Sequence, residues 1–333
     1  MPCYSPLKGW KDRDTGGIVF RREYGSEKME VACGQCLGCR LDRSRLWAMR
    51  IVHESSVYEH RGGNCFITLT YRPRRECTPE QLRNGFHVPN DWSLHKTHFQ
   101  KFMKRLRKAF PKQKIKFFMC GEYGRECQHG FNLDEYPCFV CNNGRPHYHA
   151  CLFNCTFPDL IPYDTQNGET RYTSPFLESI WKYGFVDVGE VNFDSAAYVA
   201  RYILKKVTGP LAEEHYWQLD EDGEHCYLTP EYCSMSRGAR KGARGIGYDF
   251  YEQYKNDMFP HDEVPVPGRG VFKLMPRYYE EIFKEENPLS MEEIKAVRQE
   301  FMRRNKHEYT PERLYQRYKV KKDAVSMLKR SVK

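Results

Sequence analysis

The sequence predicts an α+β fold, a sheet with helices packed on it. Three observations predict this. Runs rich in β-branched and aromatic residues recur at 65–71, 115–120 and 145–153, the composition of strands. Segments 41–60, 95–109 and 174–183 place apolar residues at helical spacing around those runs. The chain has 333 residues, 40% hydrophobic and 14% aromatic, enough to bury the core of one large domain or two smaller ones.

Composition also limits function. No apolar run is long enough to span a bilayer, and Met1-Pro2-Cys3-Tyr4-Ser5 carries no apolar signal core. The expected setting is the cytoplasm, with no membrane partner. The formal net charge of +9, with Lys and Arg clustered, suits a polyanionic partner, although an ordinary basic protein has the same charge. Fourteen cysteines without an export signal argue against a disulfide framework, and their clustering points to zinc.

Residues 1–40 are rich in turn formers and end in Cys33-Gly34-Gln35-Cys36-Leu37-Gly38-Cys39. Two overlapping C-x-x-C units can hold one tetrahedral ion across tight turns, with Cys3 as a fourth thiolate. Structural Zn2+ is favoured there over free thiols, and a redox pair would leave the third cysteine without a role. Residues 41–60 read as a basic helix with Leu46, Trp47, Ile51 and Tyr58 as its apolar stripe. Cys65–Tyr71 reads as a central strand, and 76–93 as a polar connection. Helix 95–109 buries Phe99, Phe102, Met103 and Leu106 and turns Lys101, Lys104 and Arg105 outward, either to solvent or to phosphates.

Strand 115–120 runs into Gly121-Glu122-Tyr123-Gly124, which places Glu122 at the strand end. The following insertion, 125–144, contains Cys127, His129, Cys138 and Cys141. Cys138 and Cys141 form another C-x-x-C, and with Cys127 and either His129 or Cys120 they can close a second Zn2+ site. Arg145-Pro146-His147-Tyr148-His149 opens the next strand. Alternation puts His147 and His149 on one face, where two imidazoles can share a divalent cation. If this strand pairs with 115–120, Glu122 supplies a third ligand; otherwise it is a surface glutamate near a turn.

Phe185–Val191 alternates as a strand, and Asp194 is the expected N-cap of a helix over 195–208. Tyr198 and Tyr202 lie four apart on that helix, off the Val199/Ile203/Val207 stripe, with Lys205 and Lys206 a turn further on. Packing alone does not explain two tyrosines there, although half-exposed surface tyrosines are an alternative. Residues 211–226 are acidic and polar. Residues 232–247 are basic and glycine-rich, with Arg237, Arg240, Lys241 and Arg244 resembling a phosphate-contacting loop. Ser290 with Glu293 predicts a capping box, and Thr310-Pro311 starts a last basic helix.

In this order the pieces resemble the HUH endonuclease superfamily, and within it the replication initiators of gokushovirus-type microviruses. The resemblance is carried by Phe66-Ile67-Thr68-Leu69-Thr70-Tyr71, Gly121-Glu122-Tyr123-Gly124, Arg145-Pro146-His147-Tyr148-His149 and Tyr198-Val199-Ala200-Arg201-Tyr202 with Lys205. It covers most of residues 1–250. It implies an antiparallel sheet of four or five strands over 41–210, with the active site on one face and helices on the other. A Cys-rich segment 1–40 and a basic C-terminal region 211–333 flank this domain. It further implies Mg2+ or Mn2+ on His147, His149 and Glu122, a nucleophile pair Tyr198 and Tyr202, and Lys205 as an assisting cation. Lys101, Lys104, Arg105, Lys206, Arg237, Arg240, Lys241 and Arg244 are the expected DNA contacts. The implied activity is nicking and rejoining of single-stranded DNA at a viral origin through a 5′-phosphotyrosine, in the bacterial host cytoplasm. A host polymerase or helicase would be a partner. The cysteine-bearing loop is longer than the turn usual at that place.

Three rivals stand beside this reading. A zinc-stabilised nucleic-acid binder explains the charge and cysteines but leaves the histidine and tyrosine pairs as coincidence. A metallohydrolase using water would cleave DNA yet tolerate Phe at both tyrosines. A structural protein needs a large apolar association surface, which the sequence does not show.

Overall fold

The computed structural model describes residues 3–136, 138, 143–166, 168–201, 206–207, 209–220, 222–237 and 244–327. The chain begins with β1 (Leu7–Asp12), β2 (Ile18–Val19), β3 (Gly25–Val31) and α1 (Leu37–Tyr58). Next come β4 (Asn64–Tyr71), α2 (Pro79–Arg83), α3 (Lys96–Ala109), β5 (Lys116–Tyr123) and β6 (Pro146–Phe153). A hairpin β7 (Ile161–Gln166) and β8 (Glu169–Thr173) leads to α4 (Pro175–Trp181), β9 (Gly184–Gly189) and α5 (Phe193–Arg201). Then follow α6 (Leu211–Tyr216), β10 (Trp217–Leu219), β11 (His225–Tyr227), β12 (Tyr232–Met235), α7 (Tyr248–Met258), β13 (Val264–Val266) and β14 (Gly270–Phe272). Helices α8 (Arg277–Glu286), α9 (Pro288–Arg304) and α10 (Pro311–Ser326) close the chain. Among the described residues no helix is long and apolar enough to cross a membrane.

Two compact units result: Met1–Leu46 with Arg277–Lys333, and Trp47–Pro276. In the first, β1 pairs antiparallel with both β2 and β3. Arg298 of α9 pairs with Glu280 of α8 at 2.6 Å. Thr310 caps α10 as expected, accepting from the Arg313 amide at 3.4 Å. The Ser290/Glu293 box does not form a cap. Helix α9 already starts at Pro288, whose fixed φ and missing N–H suit the first turn, so Ser290 lies inside the helix.

The second unit is built on a seven-stranded antiparallel sheet, order β12-β5-β6-β4-β9-β8-β7, with β4 at its centre. Four or five strands were expected. The additions are the β7–β8 hairpin and β12, short strands whose residues are polar or half-exposed and so lack a strong apolar alternation. β4 alternates along its length: Cys65, Ile67, Leu69 and Tyr71 are buried, while Asn64, Phe66, Thr68 and Thr70 are half-buried. The buried set joins Met119, Tyr148, Ala150 and Leu152 against Phe99, Phe102, Met103 and Leu106 of α3 and Leu177, Ile180 and Trp181 of α4. This face is the core, and the helix stripe read from 95–109 is the one that fills it.

The other face is not bare, contrary to the expectation of helices on one side. α5 packs on β5 and β6 through buried Ala196, Val199 and Ala200. The later part of α1 covers the far end, with Trp47 against Phe118 (ring centroids 4.9 Å) and Glu54 paired with Lys116 at 2.6 Å. α5 begins one residue before Asp194. Its cap is Asn192, whose side chain accepts from the Ser195 amide (2.8 Å) while Ser195 Oγ accepts from the Asn192 amide (2.9 Å). Asp194 instead pairs with Arg269 at 2.7 Å. The expected helix does not reach 208, because residues 206 and 207 are not helical.

Candidate active site

The strand register assembles the site. β5 and β6 pair with Glu122 opposite His147 and Cys120 opposite His149. β6 and β4 pair with His147 opposite Thr70 and His149 opposite Thr68. Glu122, His147 and His149 therefore share one sheet face, and their ligand atoms lie within 4.8 Å of one another. Glu122 Oε1 is 2.8 Å from His147 Nε2 and 2.9 Å from His149 Nε2. Glu122 and His149 are buried, and His147 is the more open of the three.

The outer nitrogens fix the ring orientation. His147 Nδ1 is 3.1 Å from the Arg145 carbonyl, which can only accept, so Nδ1 carries a proton, and a neutral ring presents its Nε2 lone pair inward. His149 Nδ1 is 2.9 Å from Thr68 Oγ1, which can accept in the same way. Two inward lone pairs facing one carboxylate oxygen repel unless positive charge lies among them. The donor set of two imidazoles and a carboxylate thus fits a divalent cation with positions left over for oxygen ligands. Burial opposes ionisation of Glu122, but where the inner nitrogens carry protons instead, hydrogen bonds and charge from the two histidines outweigh it and hold its carboxyl well below the usual range.

Tyr198 stands beside this group. Its ring meets His149 edge-on at 5.3 Å between centroids and Phe66 at 6.3 Å. Val199 and Ala200 are buried against the sheet, so the helix face that packs also sets where Tyr198 stands. Tyr202 and Lys205 lie outside the described residues.

The cysteines form two further groups. Cys3, Cys33, Cys36 and Cys39 bring four sulfurs within 4.8 Å of one another. Cys3 Sγ is 3.5 Å from Cys33 Sγ and 3.8 Å from Cys36 Sγ. Four thiolates about 2.3 Å from one ion would be about 3.8 Å apart, so the spacing suits tetrahedral coordination. Backbone amides of Tyr4, Cys33 and Cys36 point at these sulfurs at 3.2–3.3 Å. Burial opposes ionisation of Cys36, yet amides of Cys39 and Tyr4 bring its thiol down to about 6. Burial pushes Cys3 and Cys39 up. In the insertion, Cys127, His129 and Cys138 gather, with Cys138 Sγ 3.4 Å from His129 Nδ1. Cys141 lies outside the described residues. Cys120 is not a member of this group, because the register puts it on the sheet face beside His149.

Residues 64–207 match the family described as replication-associated protein ORF2/G2P. The match covers less than half of the chain. The matched stretch starts with β4 and contains Glu122, His147, His149 and Tyr198. The chain is similar over greater length to replication-associated protein VP4 of Bdellovibrio phage phiMH2K, 28% identical over 299 residues, 86% of this chain and 79% of the relative. Replication-associated protein ORF2 of Spiroplasma virus 4 is 29% identical over 324 residues, 91% of this chain and 88% of the relative. Replication-associated protein ORF4 of Chlamydia phage 1 is 26% identical over 286 residues, 82% of this chain and 59% of the relative. No solved structure matches the chain.

Within the family stretch, the expected DNA contacts do not all reach the site. Lys101 and Lys104 are exposed on α3, which packs on the opposite sheet face. Arg105 donates to the Ile180 and Trp181 carbonyls at 2.7 and 3.0 Å, satisfying the end of α4. Lys206 is exposed. Beyond that stretch, Arg237 is exposed, Arg244 pairs with Asp249 at 2.9 Å, and Arg240 and Lys241 lie outside the described residues. Sequence reasoning assigned no role to Thr68 or to the Arg145 carbonyl. Thr68 was legible in principle, since its even spacing from Phe66 and Thr70 puts it on the half-buried face of β4.

Proposed function

We propose that this protein initiates replication of a circular single-stranded phage genome by nicking and rejoining one strand at the origin, in the cytoplasm of the bacterial host. The observation that carries the reading is Tyr198, set edge-on to His149 beside three convergent ligand atoms. The family match and the phage relatives support it.

Glu122, His147 and His149 would hold Mg2+ or Mn2+. When bound, the ion supplies Lewis-acid polarisation of the scissile phosphate. The Arg145 carbonyl and Thr68 keep the imidazoles turned to the ion. The Tyr198 phenol gives up its proton to solvent, and its oxygen bonds to phosphorus. The bond from phosphorus to the 3′ oxygen breaks, and that oxygen takes a proton as the 3′ hydroxyl. The 5′ end stays on the tyrosine while the 3′ hydroxyl serves a host polymerase. Tyr202 takes the second transfer and Lys205 assists as a cation. Attack by a 3′ hydroxyl on the phosphotyrosine reverses the step and seals the circle. Cys3, Cys33, Cys36 and Cys39 would hold a structural Zn2+, with a second on Cys127, His129, Cys138 and Cys141.

The test uses origin oligonucleotides with Mn2+, a denaturing gel for the covalent adduct and mass spectrometry of the attached residue. The expected adduct sits on Tyr198 or Tyr202 and disappears in Tyr198→Phe/Tyr202→Phe. Cleavage that survives the double variant would make water the nucleophile. Binding with no cleavage on any origin would leave a nucleic-acid binder.

A further inference from the structure

Side chains on the site's face of the sheet form rows that cross the strands. One row runs Glu122–His147–Thr70–Phe185, and the next runs Cys120–His149–Thr68–Asp187. To one end of the face, Phe118, Cys120 and Cys151 are fully buried. Toward β9 the row of His147 opens: Thr70 is half-buried and Phe185 is 40% exposed. Phe185 contributes nothing to the core, which β9 reaches through Val186 and Val188. Its place is held by the close approach of β9 to β4. A Cβ on the preceding Gly184 would stand 2.2 Å from the Thr70 carbonyl oxygen, so only glycine allows it.

Each exposed ring on this half of the sheet has an arginine over it. The Arg72 guanidinium lies 4.8 Å from the Phe185 ring centre. Further out, Tyr163 on β7 is 53% exposed, with Arg171 of β8 5.4 Å from its ring centre. Asp187, in the row of His149, ties both to the same face: it accepts from Tyr163 Oη at 3.0 Å and from Arg171 Nε at 3.1 Å. Phe185 is two strands from His147, about 10 Å at ordinary strand spacing, and Tyr163 is two strands beyond that. Aromatic faces alternating with guanidinium groups are the means by which proteins hold single strands: rings stack bases and cations meet phosphates.

We infer that single-stranded DNA leaves the candidate centre over Thr70 and β9, with a base stacked on Phe185, the adjoining phosphate on Arg72, and the strand continuing toward Tyr163 and Arg171. The inference rests on the reading of the centre as a DNA-nicking site. Arg171 already has Asp187 as a partner, so Phe185 and Arg72 are the principal step of the track.

The test measures binding of fluorescein-labelled single-stranded origin oligonucleotides by anisotropy without divalent metal, so that nothing is cut. Phe185→Ala is expected to raise Kd about 10-fold or more, while Phe185→Trp stays near wild type because stacking survives. Arg72→Ala is expected to weaken binding and lower the slope of log Kd against log salt by about 1. Mn2+ affinity of Phe185→Ala, measured by calorimetry, is expected to equal that of wild type. The inference is overturned if Phe185→Ala binds like wild type, or if Phe185→Trp is as weak as Phe185→Ala. The two readings separate cleanly. A protein that forms the tyrosine adduct but ignores Phe185 keeps its nicking role and loses the track. One that never nicks but loses binding with Phe185→Ala keeps the track and loses the nicking role.

Discussion

Glu122, His147 and His149 differ in kind from Cys3, Cys33, Cys36 and Cys39, although each set gathers its ligand atoms within 4.8 Å. The first set offers one carboxylate oxygen and two imidazole nitrogens, each delivered by a strand whose place is fixed by ladder hydrogen bonds. The second offers four soft donors from two segments thirty residues apart, whose ends the pairing of β1 with β3 brings together. Three donors leave coordination positions for a substrate, whereas four thiolates close a tetrahedron. The difference teaches where each geometry comes from. The sheet makes the open group whether or not an ion is bound. The cysteine group, if its four sulfurs are thiolates, would need an ion to offset their repulsion.

The largest effect should come from the open group. His147→Ala is expected to cut adduct formation by ~10³-fold or more at any Mn2+ concentration while the thermal unfolding of the protein changes little. Brief EDTA treatment should abolish nicking, and excess Mn2+ should restore it in full, because the sheet keeps the ligands in place. If activity returned only after refolding, the claim that the sheet preforms this group would break. Next in size is the closed group. Cys33→Ser with Cys36→Ser should remove the zinc found by elemental analysis of the purified protein and make residues 3–46 sensitive to limited proteolysis. Zinc content unchanged in this variant would sink the reading of the N-terminal cysteines as a metal site. The same EDTA treatment should leave this zinc in place, whereas a mercurial that captures thiols should release it.

The sequence showed the two groups unequally. The pairing of His147 with His149 follows from the period of a strand alone. Membership of Glu122 needed only one further assumption, that two apolar strands are neighbours. The register that sets Cys120 opposite His149, and so excludes it from the loop cluster, is decided by tertiary packing and leaves no local trace. Cys3 could be counted as a donor, but the three-stranded sheet between it and Cys33 was hidden, because its strands are short and largely exposed. The β7–β8 hairpin was missed for the same reason, and with it the exposed Tyr163. β12 was concealed in a stretch whose glycines and charges dominate its four strand residues. Arg105 read as a phosphate contact because its charge is visible in the sequence, whereas the α4 carbonyls it satisfies are not.

The smallest predicted effect probes what lies behind the ligands. Thr68 Oγ1 is 2.9 Å from His149 Nδ1, and His149 is only 6% exposed, so water cannot readily replace the hydroxyl. Thr68→Val keeps the shape and removes the acceptor. The imidazole then loses the bond that fixes its tautomer and ring orientation, and a buried N–H is left unpaired. The expected outcome is a ~10–100-fold rise in the Mn2+ concentration needed for half-maximal nicking, with the rate recovered at saturation. Zinc content should not move, since no cysteine is touched. An unchanged Mn2+ dependence would mean that the ladder alone orients His149. The contrast would then sharpen further: the open group would owe its geometry wholly to the sheet, with no contribution from the side chains behind it.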